Sequence, residues 1–337
     1  MTETSTPVRR APRARRTALI GLKLAVSGVL AWWVISRVDI ADSAERLGTL
    51  DIGWGLAALA AFFVLLAISA LRWLVFTRAL SLAISPIWAI GVSFIASFLG
   101  QVLPAGIGVD AVRVWFLTRR GGRVGVSVAS VALDRLTGLA TLLLMIAVFL
   151  PLLFVRVEDE GARVAITLVL AIGGGGFALL FFLSLLPRYF SRFGPMRALA
   201  QTIQLARREG LSPRPGLLSL GLSIVVHLTS VLVVALLAEG IGLDIPTATL
   251  LALVPPVMLL ATLPISFAGW GVREGAMVAA LGYVGVEAGD ALALSVLFGF
   301  ATVVASLPGA IAWLAEGRGL SQLIWRGRET DNGRSAD

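Results

Sequence analysis

The sequence predicts an all-α polytopic membrane protein, with about six full transmembrane helices plus two Pro/Gly-broken re-entrant hairpins in an inverted-repeat arrangement. Three observations carry this expectation. Of 337 residues, 58% are hydrophobic and only 14% charged, and the mean hydropathy is +0.92. No soluble core absorbs that much apolar sequence. Arginine-rich and acidic loops alternate along the chain, as the positive-inside rule requires of loops on opposite sides of a membrane. Two of the apolar segments are interrupted by the same Leu-Pro and Gly-x-Gly-Val pattern, the mark of paired discontinuous helices.

The composition also excludes several classes. There is no cysteine, and His227 is the single histidine. Disulfides, thiolate metal sites and histidine clusters are therefore ruled out. Neither a metal nor another cofactor is expected. The net charge of +8 would suggest nucleic acid in a soluble protein. Here the basic residues sit in the tails and in alternate loops, so the charge reads as topology and no nucleic-acid partner is expected.

Residues 1–17 are polar and rich in arginine, which predicts a disordered basic cytoplasmic tail attracted to anionic lipid. A transmembrane domain is expected over residues 18–314. Its first span, 18–36, reads as an uncleaved anchor: Ala41-Asp42-Ser43-Ala44 imitates a cleavage site, but further membrane segments follow. Residues 52–76 span back, with Arg72, Trp73 and Arg78 at the inner interface. A broken segment over 86–117 ends in Arg119, Arg120 and Arg123. Residues 124–154 span outward to Glu158, Asp159 and Glu160. The return span, 164–186, runs through Gly173 to Gly176, a run suited to close helix contact. The main basic loop, 188–214, is expected to lie partly along the membrane surface as a helix. Residues 215–238 span outward, a second broken segment fills 246–284, and 288–314 returns to Arg318, Arg326 and Arg328. Both termini then fall in the cytoplasm, with 315–337 a C-terminal cytoplasmic tail and the cell membrane the location.

The two breaks repeat one another. Leu103-Pro104-Ala105-Gly106-Ile107-Gly108 leads through Val109 to Asp110 and Arg113. Leu263-Pro264 leads to Gly269-Trp270-Gly271-Val272, then Arg273 and Glu274. Proline and glycine interrupt the backbone ladder, and at membrane depth such a break survives only where protein or water shields it from lipid. The spans between the segments make them enter from opposite faces, so Arg113 and Arg273 are expected to converge on one phosphate near the midplane. Each segment is also compatible with a tight pair of complete spans, about eight or more in all, because the loop-charge pattern is the same either way. A helix over 107–117 is about 16 Å long, nearer half a bilayer than a whole one, which favours the re-entrant form.

LPAGIGVDAVRVWFLTRRGG (103–122), SVALDRLTGL (130–139) and ISFAGWGVREGA (265–276) together resemble the transmembrane region of lysylphosphatidylglycerol synthases and the flippase-like integral membrane proteins that share it. The resemblance runs from about the first span to Leu314. It implies a role in moving aminoacylated lipid between leaflets. In the bifunctional members a soluble aminoacyltransferase domain follows this region. Residues 315–337 leave no room for one, so synthase activity is not expected and the chain is read as a non-enzyme.

Asp134 and Arg135 sit about 15 Å into their span. Adjacent helix positions do not face each other, so each is expected to find a partner on another element, and likewise Arg273 and Glu274. Asp110 and Arg113, three apart, are expected to pair on one face. A structural ion network holding the breaks together is the plain alternative to a binding site. Arg113, Arg135 and Arg273 balance Asp110, Asp134 and Glu274, and Arg72 tips the set positive, unless it only snorkels to the interface. Helix N-termini after Gly108 and Gly271 add donors. A phosphate headgroup matches these surroundings, and arginine forks suit it. Gln101 is expected to donate to a headgroup or to cap loose backbone.

The candidate substrate-binding set is thus Gln101, Gly106, Gly108, Asp110, Arg113, Asp134, Arg135, Gly269, Gly271, Arg273 and Glu274. His227 reads more readily as a packing residue than as a proton carrier. The leading expectation is a translocase or carrier for a phosphate-bearing, anionic membrane lipid. The alternatives are an intramembrane enzyme acting on a lipid-linked substrate, with Asp134 or Glu274 as base, or a non-catalytic membrane partner of a separate lipid-modifying synthase. The oligomeric state is not legible from the sequence.

Overall fold

A computed structural model describes residues 48–102, 107–157, 159–184, 212–262 and 270–332. The expected basic tail, the first span, most of the basic loop and both Leu-Pro turns, including Gly106 and Gly269, lie outside those residues. The described residues form nine helices and no strand. They are α1 (Ile52–Ala79), α2 (Pro86–Val102), α3 (Ile107–Arg119), α4 (Val124–Arg156), α5 (Glu160–Ser184), α6 (Pro213–Gly240), α7 (Thr247–Thr262), α8 (Val272–Gly282) and α9 (Ala288–Asn332).

Among the described residues four helices are long and apolar enough to cross a membrane: α1, α4, α6 and the Ala288–Leu314 part of α9. The chain is a multi-pass helical membrane protein. These four correspond to four of the six expected spans. α5 covers the fifth, with Ile166–Gly176 as its apolar stretch. The helix of α9 runs on to Asn332, past the point where a tail was expected to begin.

Local chemistry sets the ends. The Asp51 carboxylate caps α1 by accepting from the amides of Gly53 at 2.8 Å and Trp54 at 3.2 Å, satisfying donors that have no partner within the helix. Pro213 opens α6 at a position where a missing N–H costs nothing. Gly242, at φ 73°, turns the chain out of α6 in the left-handed region.

α1 and α6 form the central contact and run antiparallel. The Asp51 amide donates to the Gly240 carbonyl at 2.8 Å where α1 begins and α6 ends. Further along, Arg72 of α1 donates to Ser223 of α6. Around this pair, α9 lies on α2 and α7 on α4. α3 packs on α2 and α4, and α8 on α7 and α9. α1 and α6 also touch α2 and α7 respectively, and each touches both α4 and α9. Exchanging α1–α4 for α6–α9 maps every one of these contacts onto another; only the α4–α5 contact stands apart.

Between apolar helices in lipid, close packing does the work that the hydrophobic effect does in water. The main core joins α1, α4 and α6–α9 through Phe62, Leu153, Val234, Leu253 and Leu294. A second cluster, Trp73, Ile95, Val112, Phe116 and Leu117, seats α3 against α1 and α2. Gly309 lets α9 press directly on the Phe94 carbonyl of α2, where any Cβ would strike backbone. Gly100 does the same for Val109, drawing the end of α2 against the start of α3 across the first break.

Candidate functional site

The charged residues of the first half gather on α4. Asp134 lies ten residues into it, about 15 Å along the axis, and is almost wholly buried at 1% exposure. Its carboxylate accepts from Arg72 Nε at 2.7 Å and Nη2 at 3.2 Å, and from Arg113 Nη1 at 3.1 Å. Arg72 thus grips it with a two-point fork, and Nη1 of Arg72 donates to Ser223 Oγ at 2.9 Å. Gly138, one turn beyond Asp134, makes room for this fork: a Cβ there would lie 3.1 Å from Arg72 Nη1. The Gly138 carbonyl also holds His227 Nε2 at 3.1 Å, which ties α6 to α4 and gives the histidine a packing role.

Arg113 is buried as well, its guanidinium 5.2 Å from the centre of the Trp73 ring. Its Nε is buried and has no hydrogen-bond partner among the described residues. Two guanidiniums therefore share one carboxylate, and one N–H of the second is unused. An unpaired buried donor costs about 1–3 kcal/mol, and more when it is charged.

Asp110 and Arg135 form a second pair. Arg135 Nε donates to both Asp110 oxygens at 2.9 Å, and the arginine side chain is 47% exposed. The expected pairing of Asp110 with Arg113 does not occur. Each acid–base pair is instead made between α3 and α4, because the crossing of the two helices brings Asp110 to Arg135 and Arg113 to Asp134. The expectation that Asp134 and Arg135 find partners on other elements holds for both.

The second half is built differently. Arg273 bonds directly to its neighbour Glu274, and Glu274 Oε2 accepts from the Gly271 amide at 2.6 Å. Adjacent helix residues were not expected to pair. They do so here because they occupy the first turn of α8, where the Glu274 side chain folds back over the helix start and into reach of the long arginine. Gly271, at φ 83°, makes the left-handed turn that starts the helix. Glu274 therefore occupies an amide that an incoming anion was expected to use. Arg273 lies 4.8 Å from the Trp270 ring centre and 5.7 Å from that of Phe298, and Gly299 leaves it space on α9.

Gly108 is buried in the first turn of α3, and Gln101 is half-buried at the end of α2. Arg113 and Arg273 have separate partners. Sequence reasoning missed Ser223, Gly138, the ring of Trp73 and Ser295, whose hydroxyl accepts from Arg273 Nε at 3.4 Å. Of these only Gly138 carried a signal, standing four residues after Asp134 on the same helix face. Among the described residues no three or more His, Asp or Glu side chains come together in a way that would hold a metal ion.

A multi-pass helical bundle with a buried carboxylate shared by two arginines defines an integral membrane protein with a positively charged internal site. Residues 20–309 match the lysylphosphatidylglycerol synthase TM region, and the chain belongs to that family. Membership links this membrane domain to a lipid-related function. A comparison with curated proteins finds no match.

Proposed function

We propose that the protein is a translocase or carrier for a phosphate-bearing membrane lipid, that it makes and breaks no covalent bond, and that Arg113 with Arg72 holds the phosphate. The observation that carries this reading is the surplus charge at Asp134. Arg72 alone neutralises that carboxylate through two hydrogen bonds. Arg113 adds a second buried cation and a buried donor without a partner among the described residues. Buried charge is costly unless compensated, and a phosphate oxygen supplies both the missing acceptor and the missing negative charge. Membership of the family agrees with a lipid as the source of that phosphate.

The test is exchange of labelled phosphatidylglycerol between leaflets of liposomes containing the protein. Arg113→Gln leaves Asp134 balanced by Arg72, so the variant is expected to fold. Losing one charged hydrogen bond worth about 1.5–3 kcal/mol lowers exchange by roughly tenfold to a hundredfold. A folded Arg113→Gln protein that exchanges lipid at the parent rate would overturn the reading.

The same proposal includes the architecture: α2–α3 and α7–α8 as re-entrant hairpins of an inverted repeat, with both termini cytoplasmic. Its supports are the closure of the helix contacts under exchange of the two halves and the antiparallel course of α1 and α6. Helix length points the same way: α3 has 13 residues and α8 has 11, about 20 and 16 Å against a hydrocarbon core of about 30 Å. A chain with no native cysteine suits thiol mapping. A cysteine at Gly121 is expected to react with an impermeant reagent from the cytoplasmic side, and one at Glu160 from the outside. A cysteine at Gly108 that labels from outside as readily as one at Glu160 would replace the hairpin with two full spans.

A further inference from the structure

Arg113 is not isolated at the end of its site. The Trp73 ring beneath it stacks on Trp88 of α2, with centres 6.4 Å apart and planes 28° from parallel. On Trp88 rests the guanidinium of Arg120, 4.9 Å from the ring centre. Its neighbour Arg119 is likewise held over Trp115, at 4.5 Å. Arg119 and Arg120 are exposed, Trp88 and Trp115 are half-buried, and Trp73 and Arg113 are buried. A row of stacked side chains therefore leads from the surface at the end of α3 to the surplus cation at Asp134. Arg113 and Arg120 are seven residues apart, two helical turns on one face and about 10 Å along the axis.

An arginine held over an indole is attracted to the ring face and keeps its charge and N–H donors for a further partner. Two such cations stand at the end of α3, each held by its own ring, and no described carboxylate forms an ion pair with either; guanidinium donors match phosphate oxygens. Tryptophans that merely anchor a protein at the interface face lipid singly. Here Trp73 and Trp88 stack on one another, Trp115 packs on Trp313, and each of the three carries a cation.

We propose that Arg119 and Arg120, pinned on Trp115 and Trp88, form an outer receiving site for a lipid phosphate group, which then passes by Trp88 to Arg113. This rests on Arg113 being the inner phosphate contact, as argued above. Charged groups at the mouth of a site act mainly on the rate of association, whereas the buried contact acts on dissociation.

The experiment uses the full chain in dodecylmaltoside micelles, which carry no competing phosphate. The probe is a short-chain phosphatidylglycerol with a dansyl group on one acyl chain, read by energy transfer from tryptophan in a stopped-flow instrument. A parallel arm displaces it with glycerol phosphate. Arg119→Gln/Arg120→Gln is expected to slow association about tenfold or more at low salt, and Arg113→Gln to speed dissociation. Trp88→Leu should slow association too, while Trp88→Phe, which keeps a ring under Arg120, restores it. Arg78→Gln, another exposed arginine, serves as the control for general surface charge. An association rate within twofold of the parent in the Arg119/Arg120 variant, or an equal loss with Arg78→Gln, would overturn the receiving site while leaving the inner site standing. A parent protein that fails to bind the probe overturns both. Displacement by glycerol phosphate identifies the free phosphate compound as a ligand of the same path, and its absence identifies the lipid headgroup.

Discussion

Asp134→Asn is expected to cost about 3–5 kcal/mol, the range for removing one partner from a buried ionic group, and to leave little folded protein. The variant changes no volume and keeps an oxygen for one donor, so packing is not at issue. What it removes is, among the described residues, the only negative charge bonded to Arg72 and Arg113, which are 7% and 5% exposed. Two guanidiniums then face one another across a neutral amide at about 15 Å depth along α4. The measurement is the monodisperse fraction after extraction into mild detergent, with thermal unfolding of whatever survives. Parent-like yield and melting temperature would mean that water or lipid headgroups already reach the cluster, and the description of a buried surplus cation would fall. Asp110→Asn is the natural comparison. Its partner Arg135 is about half exposed, and Asp110 is itself less enclosed than Asp134, so its loss should be smaller by the same measure.

The course of the chain was legible because it is written locally. α2 and α7 begin beside Pro86 and Pro246, and α4 and α9 begin at Val124 and Ala288, the positions expected from charge and proline punctuation. The near-identical breaks were visible for the same reason, since proline and glycine act where they stand. The pairing of charges was not legible. Asp110 and Arg113 have the right spacing on one helix, yet each bonds to α4, because the depth at which two helices cross is set by the packing of Phe116, Leu117 and Val131 rather than by the charges. Arg273 and Glu274 have the wrong spacing and bond anyway, because helix spacing rules assume a continuous helix and these residues sit at its start.

Arg72 shows the same limit from the other side. Near the end of an apolar span, an arginine has the option of snorkelling to the interface. Only the three-dimensional arrangement, with Ser223 of α6 on one side and Gly138 of α4 leaving space on the other, turns it inward. The family resemblance, by contrast, was fully legible, and residues 20–309 bear it out. It rests on short motifs that include Arg113, Asp134 and Gly138 and the start of α8, though not Arg72 or Ser223.

A second substitution should restore part of what Asp134→Asn loses. In Asp134→Asn the cluster carries two unpaired buried cations; adding Arg113→Gln reduces them to one, and that one still donates to Ser223. Arg113→Gln alone removes a cation from a set that already has one too many, so its own effect on stability is small in either direction. Summed as independent changes, the two would leave the double variant about as unstable as Asp134→Asn. Residues in one ionic network do not add, and their coupling is typically about 0.5–3 kcal/mol. The double variant is therefore expected to give more folded protein than Asp134→Asn by a coupling toward the upper end of that range, since both partners are buried. The cycle needs four proteins and one readout, the folded fraction against added denaturing detergent at fixed temperature. It also separates the two meanings of the cluster. If Arg113 were chiefly a structural tie between α3 and α4, Arg113→Gln would destabilise alone and worsen Asp134→Asn further. Rescue of the aspartate variant, together with loss of lipid exchange in Arg113→Gln, is the combination expected of a cation kept for a ligand rather than for the fold.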